Sequence, residues 1–141
     1  MNYDNRTEEK KHKVKVLKQI GLTDTDIVDL VVTALEGGIG YWSVLDISGE
    51  EWKDEPLNTP HSEWAANLLL NGGELTFIGI EDDEVWKLNL DMLLAGIERF
   101  INLDYDKYGA FGLDGVDFCN LDADAADSIF QLALFKDIVF A

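Results

Sequence analysis

A chain of 141 residues, 47% of them hydrophobic, is long enough to bury one domain-sized core. Its 28 acidic residues against 11 basic ones give a net charge of −17. That balance excludes a duplex-binding surface built from clustered cations and favours attraction to basic proteins. The charge is uneven. Residues 1–18 carry Arg6, Lys10, Lys11, Lys13, Lys15 and Lys18 against Asp4, Glu8 and Glu9, a net of +3, while residues 19–141 carry a net of −20. A basic arm over 1–22 therefore precedes an acidic domain over 23–141. The arm lies on this chain's own acidic body or a neighbour's, or is solvated. Its "VKVLKQIG" segment has the alternation of a short edge strand guarded by lysines.

The first helix begins at Thr23, an N-cap with Asp26 three residues on, and carries an apolar stripe of Ile27, Leu30, Val31, Ala34 and Leu35. Gly37 or Gly38 then supplies a left-handed C-terminal residue. "SVLDIS" alternates weakly, and "GEEWKDEPLNTP" reads as an acidic loop carrying Trp52. A second helix follows with Ser62 as N-cap and stops at Asn71-Gly72. Residues 74–88 give the clearest β signal, a hairpin with Glu81, Asp82, Asp83 and Glu84 at its tip. Asn89 caps a third helix, whose apolar face is Leu90, Leu93, Leu94, Ile97 and Ile101. After a Gly- and Asp-rich connection, Asp122 caps the last helix, with Ala126, Ile129, Phe130, Ala133 and Leu134 turned to the core. "IVFA" ends the chain as a terminal strand or a docked tail. The fold class is α+β: about four helices around a small antiparallel sheet.

Catalytic signatures are weak. Of two histidines, His12 lies in the arm, and His61 beside Ser62 is adjacency without triad geometry. Cys119 reads as a small buried hydrophobe. As a lone cysteine it cannot form an internal disulfide, which suits a reducing cytosol. A charged N-terminus without an apolar core gives no secretion signal, and no stretch nears the roughly 20 apolar residues of a membrane span. The run from Asp104 and Asp106 to Gly109 imitates a calcium loop but puts Tyr108 and Gly115 at two ligand positions. Neither a metal nor a cofactor is expected.

Two features remain. One is "ALEGGIGYW", residues 34–42, in which Gly37, Gly38 and Gly40 precede Tyr41 and Trp42. The glycines follow a helix instead of opening one, so this is not a phosphate cradle. It reads as a tight turn that delivers two aromatics to the core or to a partner. The other is a set of acidic runs: Glu50, Glu51, Asp54 and Glu55; Glu81 to Glu84; Asp104 and Asp106. These are either solvated faces or a carboxylate array that takes the place of phosphates in a basic groove.

The stretches Ala34–Trp42, Gly72–Leu75 and Cys119–Asp127 resemble the "ALEGGI-x-YW", "GG-x-L" and "CN-I/L-DA-x-AAD" motifs of small, acidic, uncharacterised proteins from bacteriophages and prophages. The resemblance covers most of residues 24–141 and carries no catalytic residues across. It implies a phage-type setting, in which acidic proteins of this size include anti-CRISPR and other anti-defence inhibitors, some of them DNA mimics. The leading expectation is a non-enzymatic inhibitor that binds the basic groove of a host protein through its acidic faces, with Tyr41, Trp42 and Trp52 as aromatic anchors. The alternative is a small-ligand binder, such as a sponge for a defence-signalling nucleotide, using the Gly37–Trp42 turn. Neither reading needs direct contact with nucleic acid or membrane, and a homodimer with the arm reaching its neighbour is compatible with both.

Overall fold

The computed structural model describes residues 9–14, 19–112, 115–117 and 121–141. Among these are four α-helices, a three-stranded antiparallel sheet and a two-stranded ladder, an α+β architecture. Helix α1 spans Asp24–Thr33 and opens on the capping box that the sequence predicts. The Asp26 amide donates to Thr23 Oγ1 at 3.1 Å and the Thr23 amide to Asp26 Oδ2 at 2.9 Å. Ile27, Leu30 and Val31 are buried, as the stripe requires.

The end of α1 differs from expectation. The chain does not stop in a left-handed glycine. It widens into a π turn over Ala34–Gly38, where the Ile39 amide donates to the Ala34 carbonyl at 3.0 Å. The described glycines with positive φ are Gly72 and Gly109, so Gly37 and Gly38 serve another purpose. A Cβ on Gly38 would stand 2.9 Å from the Ala123 carbonyl oxygen. Gly38 is small so that the π turn can lie against the last helix.

Strand β1 (Ser43–Leu45) follows at once, then a short 3₁₀ turn, Glu50–Trp52. Helix α2 (His61–Leu70) begins one residue before the expected cap. Pro60 stands at the N-cap and Ser62 is inside the helix, buried, its hydroxyl donating to Glu36 Oε1 at 2.9 Å. A proline needs no N–H partner at a helix start, so Ser62 is released for this tertiary contact.

The hairpin of β2 (Leu75–Gly79) and β3 (Val85–Leu88) forms as predicted. Strand β1 pairs with the other edge of β2, giving the order β1-β2-β3. Leu75, Phe77 and Gly79 face inward. Helix α3 (Leu90–Asn102) is capped by Asn89, whose side chain accepts from the Met92 amide at 2.9 Å. It buries Leu93, Gly96, Ile97 and Phe100, while Leu94 is exposed. A Cβ on Gly96 would lie 2.7 Å from Ala133 Cβ and 2.7 Å from the Ile129 carbonyl oxygen. Gly96 thus sets the close crossing of α3 and the last helix, a role that the stripe does not reveal.

A small ladder of β4 (Phe111–Gly112) and β5 (Gly115–Val116) leads to helix α4, Ala123–Phe135. Asp122 caps α4, its carboxylate accepting from the Ala125 amide at 2.8 Å. Helix α4 is the centre of the molecule. It buries Ala126, Ile129, Phe130, Leu132 and Ala133, and with them the polar Asp127 and Gln131. Phe130 meets Phe77 of the sheet edge to face, ring centroids 6.2 Å apart. Residues 9–14 are exposed and form no strand, and residues 15–18 of the expected edge strand lie outside the described residues, as does Cys119. Among the described residues no helix is long and apolar enough to cross a membrane.

Candidate functional site

The Gly37–Trp42 turn points into the molecule. Trp42 is 2% exposed, its indole packed in parallel on Phe140 at 5.1 Å and edge to face on Trp86 and Phe135. Its Nε1 donates to Asp127 Oδ1 at 2.7 Å. The Tyr41 hydroxyl donates to the other carboxylate oxygen, Oδ2, at 2.6 Å. Gln131, one helical turn after Asp127, donates to Oδ1 at 3.0 Å and binds the tail through both ends of its amide. Its Oε1 accepts from the Val139 and Phe140 amides at 2.8 Å each, and its Nε2 donates to the Phe140 carbonyl at 3.1 Å. The "IVFA" end is therefore a docked tail.

These contacts close a clasp. The residues of the "ALEGGI-x-YW" and "CN-I/L-DA-x-AAD" motifs meet here, Gly38 against Ala123 and the two aromatics on Asp127. A buried carboxylate is costly without donors, and three side-chain donors meet this one. Tyr41 is half exposed, yet its phenol is pushed up to about 12, first by burial and then by its hydrogen bond to Asp127, since loss of the proton would put two anions together. In the sequence Asp127 stands out only as a member of the acidic run Asp122, Asp124 and Asp127 and as the last residue of the Cys119–Asp127 motif, and Gln131 and Phe140 do not stand out. The available signal was two polar residues spaced i, i+4 inside the apolar stripe of α4.

Trp42 and Trp52 are thus corrected as surface anchors. Trp52 is 7% exposed and packs edge to face on His61, and its buried Nε1 has no hydrogen-bond partner among the described residues. Of the turn residues, Gly38 is buried, whereas Gly40 is open, with none of the described residues within 4 Å of a Cβ placed there. A cleft of about 340 Å³ beside Gly40 is lined by Glu36, Ser43, His61, Ser62 and apolar side chains, with no lysine or arginine among them.

The acidic runs take different environments. Glu50 pairs with Lys53 at 2.7 Å, and half-buried Glu55 contacts His61 Nδ1 at 2.6 Å. Glu51 and Asp54 are exposed. Asp104 is exposed in a left-handed turn, φ 61°, and Asp106 serves its own loop, accepting from the Ala110 and Phe111 amides at 2.8 and 3.0 Å. Glu81, Asp82, Asp83 and Glu84 are all exposed at the β2–β3 tip, with no cationic partner among the described residues. Near β1, Asp46 accepts from the Ser48 hydroxyl at 2.6 Å and amide at 2.9 Å, bonds that hold its carboxyl below the usual range. Among the described residues no three His, Cys, Asp or Glu side chains are grouped to hold a metal ion. The chain matches no family model, no curated protein and no solved structure.

Proposed function

We propose that this chain is a non-enzymatic, phage-type interaction protein that inhibits a host defence or nucleic-acid-handling protein by occupying its basic groove. The observation that carries this reading is the solvent-exposed array of carboxylates on a chain of net charge −17, most openly Glu81 to Glu84. Such a surface presents the repulsive charge of a nucleic-acid backbone to competitors and the same attraction to a basic groove. The nucleotide-sponge reading draws less support. The aromatic turn is committed to the clasp, and the cleft beside Gly40 offers a carboxylate where a phosphate would need a cation.

The test is an affinity pulldown from the host. Binding should fall steeply as salt is raised from about 0.1 M to about 1 M, where the screening length shrinks from roughly 10 Å to roughly 3 Å. Duplex DNA should compete for the captured protein. A yield unchanged by both salt and DNA overturns the reading.

A further inference from the structure

Strand pairing puts side chains of directly opposed residues on the same face of a sheet. Val44 stands opposite Ile78, and Ile78 opposite Val85, so the three form one row across β1, β2 and β3. The row lies on the face turned away from Phe77 and Leu75. Val44 is 55% and Val85 58% exposed, and Ile80, 49% exposed, continues the patch toward the tip. A solvated antiparallel sheet face normally carries polar residues at such positions. Ile78, between Val44 and Val85, is half-buried, and a contiguous apolar row of this kind with a polar rim marks a surface that another molecule covers.

The rim states what kind of molecule. At one end stand Glu81, Asp82, Asp83 and Glu84, all exposed, and beside β1 stands Asp46. Lys87 and Thr76, an opposed pair, lie on the same face one step further from the tip, with the Asp46 amide donating to the Thr76 carbonyl beside them, so the open acidic charge is concentrated at the tip end. A second copy would bring another body of net charge −17 against this one.

We infer that the outer face of the β1-β2-β3 sheet is the docking surface, and that its occupant is a protein surface with an apolar centre and a cationic rim. The apolar centre seats on Val44, Ile78 and Val85, and the cations meet Glu81 to Glu84. This deepens, and rests on, the basic-groove reading above by naming the face used and by adding an apolar requirement that a pure phosphate mimic lacks.

The test uses the full chain and two labelled synthetic peptides of equal length and charge, one alternating Lys with Val and one alternating Lys with Thr, read by fluorescence anisotropy. The Lys–Val peptide should bind about tenfold more tightly, the amount expected from partly covering two valines. The double variant Val44→Thr/Val85→Thr keeps strand-forming, β-branched side chains at exposed positions. It should bring the two peptides to equal affinity while leaving the Lys–Thr affinity and the melting temperature unchanged. Equal binding of both peptides to the unaltered chain overturns the docking face and leaves the acidic-groove reading standing. Failure of both peptides to bind overturns both. Sedimentation showing self-association that the double variant abolishes would assign the face to a second copy. A severalfold gain in Lys–Val binding without a matching gain in Lys–Thr binding after Lys10, Lys11 and Lys13 are changed to Gln would assign it to this chain's own arm, since the added negative charge alone acts on both peptides equally. Either result overturns the proposal.

Discussion

Asp127 and the Glu81–Glu84 tip are made of the same chemistry and do opposite things. Asp127 is buried on α4 and is met by Tyr41, Trp42 and Gln131, so its charge is spent inside the fold. The tip carboxylates are in water with no cationic partner among the described residues. A carboxylate in low dielectric holds structure together because losing its donors is expensive. One in water contributes little to stability and is left available for long-range attraction. Composition alone gives both the same weight.

The largest separation of the two regions should come from Trp42→Ala. It removes the central ring of the clasp and should lower unfolding free energy by about 3–5 kcal/mol, read from urea midpoints. A loss below 1 kcal/mol would mean that the clasp is peripheral to stability. Next is Gly38→Ala, whose Cβ meets the Ala123 backbone at 2.9 Å and should cost about 1–3 kcal/mol. Gly40→Ala, in open space two residues further along the same turn, should be neutral or stabilise by up to about 1 kcal/mol. If the two substitutions behave alike, close packing is not what Gly38 provides.

A subtler effect is pH dependence at the clasp. Tyr41 titrates at about 12 in the folded chain against an ordinary 10.0. The folded state therefore holds this proton more tightly than the unfolded state. The resulting stabilisation is complete below pH 10 and is lost as pH rises through 12. Stability should fall across that window, and Tyr41→Phe should make the fall shallower. The tyrosinate absorbance titration should also lose its latest phase in this variant. The smallest effect on stability belongs to the tip. Changing Glu81, Asp82, Asp83 and Glu84 to their amides should shift unfolding free energy by no more than about 0.5 kcal/mol. The same variant should weaken the salt-sensitive capture of a basic partner. A clear loss of stability would make the tip structural and erase the contrast with Asp127.

Much of the fold is legible in the sequence. The Thr23–Asp26 capping box, the Asn89 and Asp122 caps, the 74–88 hairpin and the inward side of α4 all follow from bonds and periodicities that reach only a few residues along the chain. The differences are of one kind. Local preference favours a left-handed cap at Gly37 or Gly38 and an N-cap at Ser62, and leaves Trp42 open between core and partner. A contact distant in sequence decides each: the Ala123 carbonyl for Gly38, Glu36 for Ser62, and Asp127 for Trp42.

The sequence by itself determined the order of helices and strands, their caps and the excess of negative charge, because these depend on neighbours in the chain or on simple counting. Which carboxylate would be buried and which left in water was decided only by tertiary structure. Asp127 and Trp42 are 85 positions apart, and no local pattern specifies a hydrogen bond over that separation. The same holds for the row of Val44, Ile78 and Val85, which exists only once three strands are set in register. Pairing turns three scattered β-branched residues into one surface.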